Sequence, residues 1–430
     1  MSDLRIEPIT KPFNLTFTPP GSKSLTNRAL ICAALADGPC VLRNVLFADD
    51  TEVMLQNLEK LGFEPKISRD GEVAISGRGG SVPNHGGHLV CGNSGTTIRF
   101  LSALVSLGRG MYLLDGVERM RQRPIGALMT MLKNLGVRLK YVGEDGYPPV
   151  EIVADSLPGG IVRYGSEMSS QYLSAVLMVA PYAKHEVTVH LDGPQTSWPY
   201  VAMTMQLMDT FGVTPELHRH PDTGVPKTIH IPREKYRATD YTVEPDSSNA
   251  SYFLAAAALH EGAKITIEGL GKSSLQGDVG FADVLHRMGA GLVFGKDFIT
   301  VMGAKTLEGI EVDLSDMPDV AQTLAVVALF ANGETRIRGL HTLRVKETDR
   351  IAALANELRK LGADVDEGED ELTIGPPEKI KVADIDTYDD HRMAMSFALA
   401  GTRSAGVRIR NIECVNKTYP KFFQDLQKLY

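Results

Sequence analysis

Apolar residues at helical spacing recur in six stretches of small side chains: Ala29 to Leu35, Leu101 to Leu107, Ser174 to Val179, Ala255 to Leu259, Leu324 to Phe330 and Met395 to Ala400. Each leads into a strand-like run, as in Ala263-Lys264-Ile265-Thr266-Ile267 and Glu334-Thr335-Arg336-Ile337-Arg338. A further helical stretch then stops at an apolar-Gly pair: Leu61-Gly62, Leu135-Gly136, Phe211-Gly212, Met288-Gly289 and Leu361-Gly362. Neighbouring stops lie about 74, 76, 77 and 73 residues apart, the mark of a repeated supersecondary unit. Glycine ends a helix there because it adopts the left-handed conformation without steric cost. Strand-like runs such as Val137-Arg138-Leu139 and Ala363-Asp364-Val365 follow, and a sixth unit ends with Leu429-Tyr430.

The pattern predicts an α/β protein of two similar domains, each of three repeated βαβαββ-type units. Two stretches read as crossings between the groups: the stiff Phe17-Thr18-Pro19-Pro20, and Arg237-Ala238-Thr239-Asp240-Tyr241. The expected division is a discontinuous domain, 1–20 plus 241–430, and a continuous one, 21–240. Side by side, the connections near 20–21 and 240–241 would form a hinge that closes on a ligand.

The 430-residue length suits two cores, and 43% hydrophobic with 23% charged residues is a soluble balance. No apolar run approaches the ~18 residues of a membrane helix. The opening MSDLRIEPIT has no apolar signal core, so a cytoplasmic protein with no membrane partner is expected. Cys32, Cys40, Cys91 and Cys414 form no paired or His-mixed cluster; reduced thiols and no metal site are expected. A net charge of -8 argues against nucleic acid as a partner, yet leaves room for small anions in a locally positive cleft.

Several strings carry that local charge. Pro20-Gly21-Ser22-Lys23-Ser24 with Arg28 fails the spacing of a nucleotide P-loop, which disfavours a phosphotransferase. It still offers hydroxyls, cations and a helix N-terminus to an anion, though a Ser-capped helix with surface cations fits the same residues. Gly92-Asn93-Ser94-Gly95-Thr96-Thr97-Ile98-Arg99 has the same logic, with a plain capping loop as the alternative. Arg119-Met120-Arg121-Gln122-Arg123 sets guanidinium forks before Pro124, or makes a solvated basic turn. Ser169-Ser170-Gln171 opens another helix with neutral donors. In Leu343-Arg344-Val345-Lys346-Glu347-Thr348-Asp349-Arg350, the spacing puts Lys346, Glu347 and Arg350 on one helical face, which also describes a salt-bridged surface. Asp319 by itself reads as a helix cap, and His391-Arg392 after Asp389-Asp390 leads into an apolar helix. Taken together, these strings occupy corresponding places in successive units, and six helix N-termini converging on one cleft would attract anions strongly.

The strings PPGSKSLTNRAL, GNSGTTIR, RMRQRPIGAL, SSQYLSA, MPDVAQTLAV, LRVKETDRI, YDDHRMAM and NKTYPKFF resemble, in order and over nearly the whole chain, the EPSP synthases, or 3-phosphoshikimate 1-carboxyvinyltransferases. The resemblance implies an active site between the domains, no cofactor, a monomer, and two anionic substrates. By position, Lys23, Ser24, Arg28, Ser169, Ser170, Gln171, Ser197, Asp319 and Lys346 would bind shikimate 3-phosphate. Lys23, Gly95, Arg123, Gln171, Arg350, Arg392 and Lys417 would bind phosphoenolpyruvate. Lys23, Asp319 and Glu347 would carry the proton transfers. Gly95 goes with glyphosate sensitivity in the family. Phe100 stands where Pro is frequent and Thr342 where Asn is; the first would reshape the phosphoenolpyruvate pocket, the second removes one phosphate contact. The sister transferase acting on UDP-N-acetylglucosamine has Asn at the position of Ser24 and usually a loop Cys, which Arg119 to Arg123 lacks. A non-catalytic anion-binding protein would be expected to have lost Lys23, Asp319 or Glu347.

Overall fold

The computed structural model describes residues 2–430 and divides the chain into two compact units. One is continuous, Gly21–Val243; the other joins the segment ending at Pro20 to Glu244–Tyr430.

The continuous unit holds helices α1 (Lys23–Leu35), α2 (Asp49–Lys60), α3 (Gly95–Val105), α4 (Gly126–Asn134), α5 (Gln171–Val179) and α6 (Trp198–Thr210). The two-segment unit holds α7 (Ser247–Leu259), α8 (Phe281–Arg287), α9 (Ala321–Ala328), α10 (Arg350–Lys360), α11 (His391–Arg403) and the short α12 (Phe422–Leu426).

Five modules share one sheet topology. In the module of strands Gly87–Val90, Arg109–Asp115, Arg138–Tyr141 and Val150–Asp155, the first two strands pair in parallel. The fourth then lies antiparallel between the second and the third. With α3 and α4 interleaved, this is the expected βαβαββ unit. Two modules take their first strand from far away in sequence. Asp240–Thr242 pairs in parallel with Pro39–Arg43, and Asn14–Phe17 pairs in parallel with Lys264–Glu268. A further sheet has three strands, Leu4–Ile6, Val407–Ile409 and Ala383–Ile385, and a two-stranded one pairs Leu307–Glu308 with Ala331–Asn332.

All five apolar-Gly stops are helix ends. The C-caps of α2, α4, α6, α8 and α10 are Leu61, Leu135, Phe211, Met288 and Leu361. The next glycine lies at φ between 86° and 114° in each case. At the α2 end, Gly62 N–H donates to the Glu59 carbonyl and Phe63 N–H to the Leu58 carbonyl, which closes the helix with paired capping bonds.

The six small-residue stretches form the inner helices, α1, α3 and α5 in one unit and α7, α9 and α11 in the other, and within each unit the three pack on one another. Every residue of α7 and α11 except Arg403 is buried, as is every residue of α1 after Ser24. A helix buried all round cannot show an amphipathic stripe. Its small side chains let neighbours approach closely, and polar groups collect at its N-terminus, where free N–H groups need partners.

Candidate functional site

In the continuous unit, three inner-helix N-termini carry polar side chains, and those of α3 and α5 are cross-linked. Ser22 caps α1 through Leu25 N–H and Ser94 caps α3 through Thr97 N–H, both at 3.4 Å. Arg99 on α3 donates to Gln171 Oε1 at 2.6 Å and to the Pro124 carbonyl at 3.2 Å, while Gln171 Nε2 reaches Thr96 Oγ1 at 3.2 Å. The start of α3 is thereby tied to the start of α5 and to the turn carrying Arg123. Arg123 is buried and donates from Nη1 to the carbonyl and side-chain oxygens of Asn93, at 3.0 and 3.3 Å. Gly95 leaves room for it: a Cβ there would stand 2.7 Å from Arg123 Nη2. Lys23 pairs with the buried Asp50 at 3.2 Å. Ser169 Oγ accepts from Gln171 N–H at 3.3 Å, and Ser170 is the N-cap of α5. Ser197, left-handed at φ 53°, opens α6.

Arg28 is fully buried. Its Nε donates to Thr204 Oγ1 at 2.7 Å, Nη1 to the Ser24 carbonyl at 3.0 Å, and Nη2 to Ser174 Oγ at 3.2 Å. The Phe100 ring lies under its guanidinium at 5.2 Å. Phe100 therefore packs against Arg28. Burial pulls the Arg28 pKa down to about 10, still charged at neutral pH.

In the two-segment unit, all six expected residues belong to one ion-pair network. Arg350 opens α10 and sits among three carboxylates. Its Nε meets Asp390 Oδ2 at 2.7 Å, Nη2 meets Glu347 Oε2 at 2.9 Å, and Nη1 meets Asp319 Oδ1 at 3.3 Å. Asp319 also pairs with Arg392 at 2.9 Å and with Lys346 at 4.0 Å, and Glu347 pairs with Lys417 at 3.8 Å. Asp319 and Lys346 are the more exposed members, with side chains 20% and 21% accessible, against 2% for Arg350 and 0% for Asp390. Four cations face three carboxylates, so the cluster keeps a positive excess. Burial lowers the Arg350 pKa, but Asp390, Glu347 and Asp319 together outweigh it and raise the value above an ordinary arginine's.

The geometry corrects two readings. Lys346 and Glu347 do not share a helical face with Arg350, because Lys346 is extended (φ -85°, ψ -153°) and Asp349 caps α10 by accepting from Ala352 N–H at 3.1 Å. Asp319 is no helix cap: it sits in a 3-10 turn, Pro318–Val320, with its carboxylate between Arg350 and Arg392. The sequence reading gave no role to Asp50, Arg99 or Asp390. Asp390 was legible as an acidic residue directly before a buried helix, and its Oδ1 accepts from Arg392 N–H at 2.9 Å. The four cysteines are buried, and burial holds Cys32 and Cys414 at about 12, as thiols. Among the described residues no helix is long and apolar enough to cross a membrane.

The fold is that of an enolpyruvyl transferase: the enzyme NikO from Streptomyces tendae superposes with a TM-score of 0.77 at 19% identity, covering 99% of this chain and 96% of that one, a likeness of architecture alone. EPSP synthase from Acinetobacter baumannii superposes with a TM-score of 0.81 at 29% identity, over 99% of this chain and 98% of that one. The 3-phosphoshikimate 1-carboxyvinyltransferases of Shewanella halifaxensis and Aliivibrio fischeri are 43% and 45% identical to this chain over the full length of both partners. The family model for EPSP synthase, 3-phosphoshikimate 1-carboxyvinyltransferase, matches residues 9–426. The chain belongs to the EPSP synthase family.

Proposed function

We infer that the protein transfers the enolpyruvyl group of phosphoenolpyruvate to the 5-hydroxyl of shikimate 3-phosphate with release of phosphate. The observation that carries this reading is the network of Asp319, Lys346, Glu347, Arg350, Arg392 and Lys417, which keeps positive charge beside a partly exposed carboxylate. Both substrates are polyanions, and arginine forks match carboxylate and phosphate oxygens.

In the addition step the 5-hydroxyl oxygen bonds to C2 of phosphoenolpyruvate, its proton passes to Asp319, and C3 gains a proton managed by Glu347 with Lys23. In the elimination step C3 gives a proton back, the double bond re-forms, and the C2–O bond to phosphate breaks, the departing phosphate taking up the proton that Asp319 had accepted. Lys23, Ser24, Arg28, Ser169, Ser170, Gln171, Ser197, Asp319 and Lys346 are assigned to shikimate 3-phosphate. Lys23, Gly95, Arg123, Gln171, Arg350, Arg392 and Lys417 are assigned to phosphoenolpyruvate. The same reading makes the protein a cytoplasmic monomer and a glyphosate target, the last supported by Gly95.

The test is phosphate release from phosphoenolpyruvate with and without shikimate 3-phosphate. Release that depends on shikimate 3-phosphate, with an enolpyruvyl product by mass, is expected; release with UDP-N-acetylglucosamine alone would overturn the reading. Asp319→Asn is expected to lose turnover by roughly 100- to 10,000-fold, the usual worth of a general base, with substrate binding retained. Near-normal turnover would remove Asp319 from that role.

A further inference from the structure

Glu357 lies two helical turns beyond Arg350 on α10, a spacing that puts both on one face about 10 Å apart. It is a fully buried carboxylate outside the ion-pair network of Arg350. Its Oε1 accepts from the Tyr388 hydroxyl at 2.7 Å and its Oε2 from Asp386 N–H at 3.1 Å. Lys360 bridges the same pair of acids, meeting Glu357 at 2.8 Å and Asp386 at 2.7 Å.

The segment held this way is unusual. Tyr388 and Asp389 are consecutive non-glycine residues at φ 53° and 55°, a left-handed conformation that Cβ disfavours. Two such residues in a row persist only where surrounding contacts impose them. The next residue is Asp390, which binds Arg350 through Nε and Nη2 and caps the helix bearing Arg392. Helix α10 therefore grips one loop twice, through Glu357 at its entry and Arg350 at its exit. The Tyr388 phenol is pushed up to about 12, first by burial and then by its bond to Glu357, so it stays a donor at neutral pH.

We propose that Glu357 is a positioning residue for the reaction: with Tyr388 it imposes the left-handed turn that seats Asp390, and through Asp390 it sets the Arg350 guanidinium and the start of the helix that carries Arg392. The kinetic part rests on the assignment of those arginines to phosphoenolpyruvate; the structural part does not.

The test uses Glu357→Gln and Tyr388→Phe in the full chain. Both are expected to raise KM for phosphoenolpyruvate by about 5- to 30-fold and to leave KM for shikimate 3-phosphate within twofold. Adding Asp389→Gly to Glu357→Gln is expected to recover at least half of that loss, because glycine adopts the turn without help. An undisturbed KM in folded Glu357→Gln overturns the proposal, as does an equal loss for both substrates that Asp389→Gly leaves in place. Amide hydrogen exchange over residues 386–392 separates this from the assignment of function. Faster exchange there in Glu357→Gln supports the turn-holding role even if the parent releases no phosphate; unchanged exchange overturns it.

Discussion

Replacing Gly95 by Ala is a one-atom test of the proposal that Arg123 binds an anion in the continuous unit. The new Cβ would stand 2.7 Å from Arg123 Nη2, 3.0 Å from Cζ and 3.2 Å from Nη1. Carbon does not approach another heavy atom that closely, so Arg123 must retreat by several tenths of an ångström. It has little space to do so, being buried and bonded through Nη1 to both oxygens of Asn93. Losing the equivalent of one charged hydrogen bond costs roughly 1.5–3 kcal/mol. At about 1.4 kcal/mol per factor of ten, kcat/KM for phosphoenolpyruvate should fall about 10- to 150-fold. The backbone gives no reason for collapse, since Gly95 opens α3 and Ala is the better helix former by about 1 kcal/mol. Steady-state phosphate release, varied in each substrate separately, reads the effect, and the loss should lie mainly in KM for phosphoenolpyruvate. In an Arg123→Ala background the same substitution should cost less than twofold, because the displaced group is gone. A Gly95→Ala protein with kinetic constants within twofold of the parent would refute the reasoning, as would an undiminished loss in the Arg123→Ala background.

Two further outcomes follow from contacts on the same unit. Phe100→Leu removes the ring beneath Arg28, a desolvated cation–π contact worth about 2 kcal/mol; KM for shikimate 3-phosphate should rise by up to about 30-fold with phosphoenolpyruvate unaffected, and the reverse split would disprove the assignment. Asp115 is held below the usual carboxylate range first by its bonds to Arg121, then by Gly116 N–H, so its stabilisation is present above the unfolded value near 3.8 and is lost as pH falls below it. Asp115→Asn should flatten the acid limb of the stability curve below about pH 4 in urea titrations; an unchanged limb would count against the pair.

The helix stops were legible because a left-handed glycine closing a helix is a local signal, and five appear at near-constant spacing. The alternation of helices and strands in repeated units was legible from the same periodicity. The exchanged strands were not: Asn14–Phe17 finds its partner some 250 residues away, and nothing in four residues specifies that pairing. At the candidate site, the charged strings named the residues, but helical spacing misjudged how three of them meet. A one-residue fact decided it, the capping of α10 by Asp349, which leaves Lys346 and Glu347 outside the helix. Phe100 shows the same limit. Its neighbour in sequence is Arg99, yet its partner in space is Arg28, one helix away. Glu357 gave no signal at all, since an acid late in a charged helix looks like surface.

Two buried arginines differ in a way that predicts opposite responses. Arg350 is surrounded by Asp390, Glu347 and Asp319, and losing it would take a shared cation from three carboxylates, two of them buried, leaving Asp319 with Arg392 and Lys346 and Glu347 with the longer contact to Lys417. Arg28 is buried among neutral partners, the Thr204 and Ser174 hydroxyls and the Ser24 and Tyr200 carbonyls. The fall of its pKa from 12.5 to about 10 corresponds to on the order of 3 kcal/mol held against folding at neutral pH. Removing an uncompensated buried charge relieves that cost, while removing one partner of a buried ion cluster typically costs 3–5 kcal/mol. Arg350→Met should therefore lower Tm by many degrees, and Arg28→Met should leave it within a few degrees of the parent, some of the relief being offset by the hydroxyls and carbonyls it leaves unbonded. The proposed role of Arg28 as an anion receptor is then read separately: shikimate 3-phosphate should raise Tm of the parent and not of Arg28→Met. Equal destabilisation of the two variants would mean that Arg28 is an ordinary structural contact. A full ligand shift in Arg28→Met would mean that its charge is compensated by something other than the substrate.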